Sequence, residues 1–317
     1  MSANTRSAGG AWRTVTAAAV AVVTLLGTAA CGGDEDAADA EPVRGLSGAL
    51  AGIPQDRAEN VFTYWDVSQL RPLIKGDQEL YGPALSSLGI AELEDIRYEE
   101  ELTAREVFGF DETQVETAVH IDGDSARLTG RFDVSAVTDA MKKNGWTESK
   151  TDGGALFASG ESKVAVSSTV RSRTFVKDVV PPPLAAPEKS LLADPAYRAV
   201  ADCVGDGTYF AFFHIKNYDT HLPGLTLFAV GGHAADDGTS RERLCALTES
   251  PEGARTVADA LRTETAAGER YAGASVEVGD GPTPMVTMEW ANSMASGLKP
   301  GGHAQTQQLS NVLSPLG

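Results

Sequence analysis

Apolar positions along this 317-residue chain recur with a period of three to four in some stretches and two in others. The clearest helical stretch is Val134–Asn144, where Val134, Val137, Ala140 and Met141 share a face. Asp133 stands at its N-cap, and Phe132 just before it is placed to staple onto Val137. Lys142 and Lys143 complement the C-terminal end of the helix dipole, Gly145 supplies a left-handed stop, and Trp146 follows to close over the last turn. Phe110-Asp111 echoes that opening: Asp111 caps, Gln114 completes a capping box, and Phe110 staples onto Val115. A further helix opens at Asp194-Pro195, proline being suited to the first helical position, and runs through Tyr197, Val200 and Ala201 toward Cys203. Another opens at Ser250-Pro251, carries Ala254, Val257, Ala258, Leu261 and Thr265, and stops at Gly268.

Alternation predicts strands over Ser125–Phe132, Thr208–Ile215, Leu225–Val230 and Leu244–Thr248. Gly153–Ala158, Lys163–Val170, Ala274–Val278 and Met285–Trp290 complete the set, with Gly279-Asp280-Gly281-Pro282 as a hairpin turn before the last. A β-α-β-β order from Ser125 to Ala158 returns, with little sequence identity, from Leu244 to Trp290. Pro181-Pro182-Pro183-Leu184-Ala185-Ala186-Pro187 lies between them, a stiff extended segment fit to join two halves. The reading is an α+β protein of two packed subdomains, residues 60–180 and 188–299, each an antiparallel-rich sheet with helices on one face. Residues 181–187 are the Pro-rich linker, and Lys299-Pro300-Gly301-Gly302 opens a loose polar tail, residues 300–317.

The N-terminus follows another pattern. Arg6 and Arg13 lead into the uncharged stretch Val15–Ala30, which ends in Thr28-Ala29-Ala30-Cys31. A basic start, a short apolar run and small residues before a cysteine are similar to a bacterial lipoprotein signal, residues 1–30. In that class the peptide is removed and Cys31 receives a diacylglyceryl group. The pattern prefers an aliphatic residue where Thr28 stands. Two other readings therefore stay open: an ordinary small-residue cleavage site, giving a freely secreted protein, and a transmembrane helix. After Cys31, Gly32–Glu41 sets Asp34, Glu35, Asp36, Asp39 and Glu41 among Gly and Ala, and residues 31–59 read as an acidic flexible tether.

Charge narrows the partners. The chain carries −18; its first 30 residues hold two arginines and no acid, so the remainder has 24 basic against 44 acidic residues, or −20. Such a domain repels nucleic acid and anionic headgroups, leaving lipid as its means of holding a bilayer. The cysteines are Cys31, Cys203 and Cys245. With Cys31 lipidated, the other two form an even pair, expected as a disulfide on the oxidising side of a membrane. It would close a loop of about 43 residues, worth about 4 kcal/mol in the chain-entropy model; two buried thiols are the alternative.

Catalytic signatures do not emerge. His-Glu-x-x-His, Gly-x-Ser-x-Gly, the P-loop and a Gly-x-Gly-x-x-Gly before a helix do not occur. Ser296-Gly297-Leu298-Lys299 matches Ser-x-x-Lys by chance, with no room behind it for companion motifs. Asp111 and Asp133 read as caps rather than paired catalytic carboxylates. His214, Asp219 and His221 are weak candidates for a metal; His214 follows Phe210 and Phe212 on one strand face, which favours a structural histidine. Asp122-Gly123-Asp124 and Asp236-Asp237-Gly238 lack calcium-loop spacing and read as turns. No cofactor is expected. Trp65, Trp146 and Trp290 sit in or beside core elements, leaving no aromatic platform for carbohydrate.

The anchored start, Val61-Phe62-Thr63-Tyr64-Trp65-Asp66, Phe108-Gly109-Phe110-Asp111 with Val115, Gly130-Arg131-Phe132-Asp133 with Gly145-Trp146, and the Cys203/Cys245 half together resemble a group of actinobacterial cell-surface lipoproteins. The resemblance spans most of the mature chain and implies an α+β fold and an extracytoplasmic, membrane-anchored location. Its shared residues are structural, and it brings no catalytic residues. The expectation is a non-enzymatic protein that binds an envelope protein or another envelope component. The alternative is a carrier sheltering a lipid or other apolar ligand between sheet and helices, lined by Tyr209–Phe213 and Leu222–Val230.

Overall fold

Strand β1, Phe62–Asp66, has no polar face. Phe62 and Tyr64 point to one side and Trp65 to the other, and all three are buried, as in a strand with neighbours on both edges and layers on both faces. It occupies the centre of a twelve-stranded sheet. The computed structural model describes residues 45–57, 61–86, 104–121, 125–151, 153–174, 181–215, 222–235, 239–267, 271, 273–279, 284–292, 297–298, 300–301, 308–309 and 311–313.

Before β1 lies helix α1, Gly45–Ala51, whose Leu46 and Leu50 are buried in the core with Ile53 after it. The flexible tether expected over residues 31–59 therefore does not extend past residue 44: this short stretch has an apolar face to bury. After it come α2, Val67–Gly76, with Asp66 as N-cap, then α3, Gln78–Ser86, and α4, Ala104–Phe108. Strands β2, Val115–Ile121, and β3, Ser125–Gly130, lead into α5, Val134–Lys143. Four strands follow: β4, Thr147–Thr151; β5, Gly154–Ser159; β6, Ser162–Val166; and β7, Val170–Thr174. The second half begins with α6, Pro195–Val204, then β8, Phe210–Ile215, β9, Leu225–Ala234, and β10, Ser240–Thr248. Helix α7, Pro251–Ala267, and the hairpin of β11, Ser275–Val278, and β12, Met285–Ala291, complete it.

The strand order is β11-β12-β10-β9-β8-β1-β2-β3-β7-β6-β5-β4, with antiparallel pairing throughout. Both halves follow one plan. Each begins with a helix, forms a three-stranded meander and crosses by a second helix, and its last strand returns beside the third strand of the meander. The first half has two extra strands in its return, and α2, α3 and α4 stand between its first two strands. The echo seen in the sequence is thus a shared topology, and the halves meet where β1 pairs with β8, Phe62 opposite Phe213 and Trp65 opposite Phe210.

The α+β class is as read, but the two sheets expected are one, and helices cover both of its faces. Helices α2, α3, α4, α5 and α7 pack on the face that carries Trp65, Leu128, Phe228 and Leu244. Helices α1 and α6 pack on the other, against Phe62, Tyr64, Phe213 and Leu247. The reason lies in β8–β10, which are apolar at successive positions and so leave two faces to bury.

Local signals were legible. Asp133 accepts from the Ser135 and Ala136 amides at 3.0 and 3.2 Å, and Gly145, at φ 80°, ends α5 with Trp146 N bonded to Met141 O at 3.0 Å. Asp194 caps α6 through the Ala196 amide at 2.8 Å. Two readings change. The Asp111–Gln114 capping box is present but opens only a 3-10 turn, Glu112–Gln114, because the strongly β-prone run from Val115 takes over. The strand expected over Lys163–Val170 is two, since Ser167 turns the chain: its amide donates to Val170 O at 2.7 Å and its hydroxyl accepts from Val170 N at 3.0 Å. Nor is the tail loose where it is described. Residues 308–309 and 311–313 are helical, and Leu309 and Leu313 are buried in the helix-rich core. The spacing of Leu309, Val312 and Leu313 gives one apolar helical face.

Candidate functional site

Buried polar and charged side chains that do not build the fold's hydrogen-bond ladder mark where chemistry is concentrated. In the second half they gather near the start of β10. Glu242 faces the helix-rich core at 2% exposure, between Gly232 of β9 and Trp290 of β12. One of its carboxylate oxygens accepts from the Gly301 amide at 2.9 Å. Burial pushes the Glu242 carboxyl up to about 7, against the opposing pull of the Gly301 amide and the Asn292 and Trp290 side chains. Two residues earlier on the same face, Ser240 Oγ lies 2.9 Å from the Tyr209 hydroxyl and accepts from Asn292 Nδ2 at 3.0 Å. The Tyr81 ring of α3 meets Tyr209 edge-on at 5.7 Å. Burial raises both phenols, so they stay protonated and neutral.

Glycine makes room for this group. Gly232 pairs with Glu242 on one side and Phe210 on the other, and a Cβ there would stand 2.2 Å from the Phe210 ring and 2.9 Å from that of Tyr209. Such contacts are impossible without displacing two buried rings.

The first half buries cations instead. Arg127 of β3 is 7% exposed on the α1 side, where its guanidinium donates to Pro183 O at 3.5 Å and Leu184 O at 3.3 Å. Burial lowers its pKa, and no acidic side chain among the described residues forms an ion pair with it. The main chain of Gly52 lies against the guanidinium, where a Cβ would come within 2.7 Å of Nη1. Pro181 and Pro182 are buried, so the proline segment both joins the halves and lies on the sheet. Arg171 of β7, 1% exposed, faces the opposite core over the rings of Phe108 and Phe110, at 5.6 and 4.9 Å from their centroids.

Cys203 of α6 and Cys245 of β10 form a disulfide on the α1–α6 face. Cys31, Asp219, His221, the Ser296–Lys299 pair, Asp122–Asp124 and Asp236–Gly238 lie outside the described residues. His214 stacks on Phe228 at 5.1 Å, packed among aromatic rings. Among the described residues no three His, Cys, Asp or Glu side chains gather as metal ligands. The run Tyr209–Phe213 does not face a single space: Tyr209 and Phe210 enter one core, Ala211 and Phe213 the other. Residues 225–230 divide in the same way.

Sequence reasoning missed Glu242, Arg127 and Arg171. For Glu242 a signal existed: running the alternation of Leu244 and Ala246 backward puts Glu242 and Ser240 on the core side and Arg241 and Arg243 on the other. The segments that cover these charges come from remote parts of the chain, and alternation carries no trace of them.

No protein-family model and no curated protein matches this sequence. Among solved structures, crystal form I of TP0453 is similar at 12% identity, covering 86% of this chain and 98% of that one, with a TM-score of 0.42. That likeness is too low to carry a fold or a function across. Among the described residues no helix is long and apolar enough to cross a membrane.

Proposed function

We propose that this protein is lipid-anchored through Cys31 on the extracytoplasmic face of the cell membrane and acts by binding an envelope component rather than by catalysis. The observation that carries the reading is the Cys203–Cys245 bridge. Such bridges persist in oxidising compartments, and this one uses every cysteine except the one that follows the apolar segment. The net charge of −20 after residue 30 favours lipid over electrostatic adsorption as the means of attachment. The resemblance to actinobacterial cell-surface lipoproteins points the same way. Binding is preferred because the displaced ionisable groups are closed over: Glu242 beneath Gly301, Arg127 beneath the proline segment. General acid–base work needs such groups within reach of a substrate.

The test is lipid labelling. In a host that lipidates its own lipoproteins, a clickable palmitate analogue labels the native chain and leaves Cys31→Ala unlabelled. Equal labelling of the two, or of neither, contradicts the anchor.

A carrier of apolar ligands is a second reading, favoured by one observation. Trp65 Nε1, at the sheet's centre on the helix-rich side, is buried with no acceptor, a donor suited to a ligand carbonyl. Mass spectrometry of organic extracts from natively purified protein tests it: a stoichiometric lipid supports a carrier, and its absence removes that reading.

A further inference from the structure

Strand β4 closes one end of the twelve-stranded sheet, with no strand beyond it among the described residues. All five of its residues, Thr147, Glu148, Ser149, Lys150 and Thr151, are exposed. Its register with β5 is unbroken, so neither a bulge nor a proline guards the free edge. The strand at the other end differs: Arg262 of α7 donates to Val276 O of β11 at 3.5 Å. Thr151 pairs with Gly154 where the chain reverses, the hydrogen-bonded pair that closes a two-residue hairpin. By alternation Thr147, Ser149 and Thr151 direct their main-chain groups to β5, and Glu148 and Lys150 direct theirs outward. Both of these side chains lie on the face of Phe157, where Glu148 meets Lys142 of α5 at 2.5 Å. Lys150 has no acidic partner among the described residues.

We propose that β4 is a self-association edge: it pairs antiparallel with β4 of a second copy, centred on Ser149, and the sheet runs on through both molecules. Charge selects the register. Centred on Ser149, each Glu148 stands opposite the second copy's Lys150 and exchanges main-chain hydrogen bonds with it, so the outward donors and acceptors of both strands are satisfied. Thr147 then opposes Thr151, a favourable cross-strand pair. Shifting the register by two residues either way sets Glu148 against Glu148 or Lys150 against Lys150, and a shift of one turns the outward groups away from one another. One Glu148 oxygen holds Lys142, and the other is left for the second copy's Lys150. A lysine on an edge discourages pairing with most strands; with Glu148 two residues before it, this one specifies a copy of the same chain. The contact is small, which makes a weak, exchanging pair.

Disulfide trapping on the full chain reads the register, with the native chain, which carries Cys31, as background. In the pair, Ser149 of each copy faces the other at a non-hydrogen-bonded site, roughly 4.5 Å between Cα atoms and within disulfide reach. Ser149→Cys is expected to give an oxidised dimer on a non-reducing gel roughly tenfold above background. Thr147→Cys, on the same strand, should stay at background, because its two copies lie about 14 Å apart along the strands. Adding Lys150→Glu to Ser149→Cys should cut the yield roughly tenfold by setting acid against acid, and adding Glu148→Lys as well should restore it. No dimer above background from Ser149→Cys overturns the proposal. Equal trapping by Thr147→Cys overturns it as random collision. A yield that Lys150→Glu leaves unchanged, or that the double exchange does not recover, overturns the register and the proposal with it. Every substituted position is exposed, so none of these variants disturbs the core.

Discussion

In the first half of the sheet a buried cation, Arg127, holds the carbonyls of Pro183 and Leu184; in the second a buried acid, Glu242, holds the amide of Gly301. Both charges are bonded to the main chain of a remote segment, and neither has an ionic partner among the described residues. The sign of each suits the main-chain group it fastens, a donor for carbonyls and an acceptor for an amide. The difference is in titration. A guanidinium stays charged across the physiological range even when burial lowers its pKa, whereas a carboxyl pushed up to about 7 changes state within it. Two similar straps thus differ in kind: one is a permanent fastening, the other responds to protons. Only the second half also has a covalent tie, Cys203–Cys245.

Removing that tie is the largest perturbation of the contrast. Replacing both cysteines by serine should lower stability by about 4 kcal/mol in the chain-entropy model for a loop of this length. Urea denaturation measures it. A loss below about 1 kcal/mol would show that packing of α6 on β10 suffices without the bond.

Glu242 comes next. Its carboxyl binds a proton more tightly in the folded chain than in the unfolded one, so its contribution to stability is fully present below pH 4.5 and is lost as pH rises to about 7. The shift corresponds to roughly 3 kcal/mol over that window. Denaturation midpoints across the window should fall in the native protein relative to Glu242→Gln, and parallel curves would remove Glu242 from the account.

Arg127→Met should have the smallest effect, about 1–2 kcal/mol from two lost hydrogen bonds and two carbonyls left without a donor. That loss should be the same from pH 5 to pH 8, and amide exchange after Pro187 should quicken uniformly. A pH-dependent loss would make the two straps alike and break the comparison.

The pattern of what was legible follows the range of the interactions. Caps at Asp133 and Asp194, the stop at Gly145 and the pairing of β11 with β12 are set by residues a few positions apart, and they stand in the structure as the sequence implies. The Cys203–Cys245 pair needed only counting. The merger of two halves into one sheet was not visible, because it depends on β1 meeting β8 about 150 positions away. Nor was the burial of Leu309 and Leu313, whose apolar face is short and lies in a polar tail. The charged straps were the hardest to see: an arginine or glutamate in a strand reads as solvent-facing until the segment above it is known.

All of this concerns how the domain is built, while the proposed location rests on Cys31. The most direct measurement is the mass of the N-terminal peptide of protein extracted from native membranes. The account predicts a chain that begins at Cys31 with a thioether-linked diacylglyceryl group. An unmodified N-terminus at Cys31, or a chain that retains residues 1–30, would contradict it.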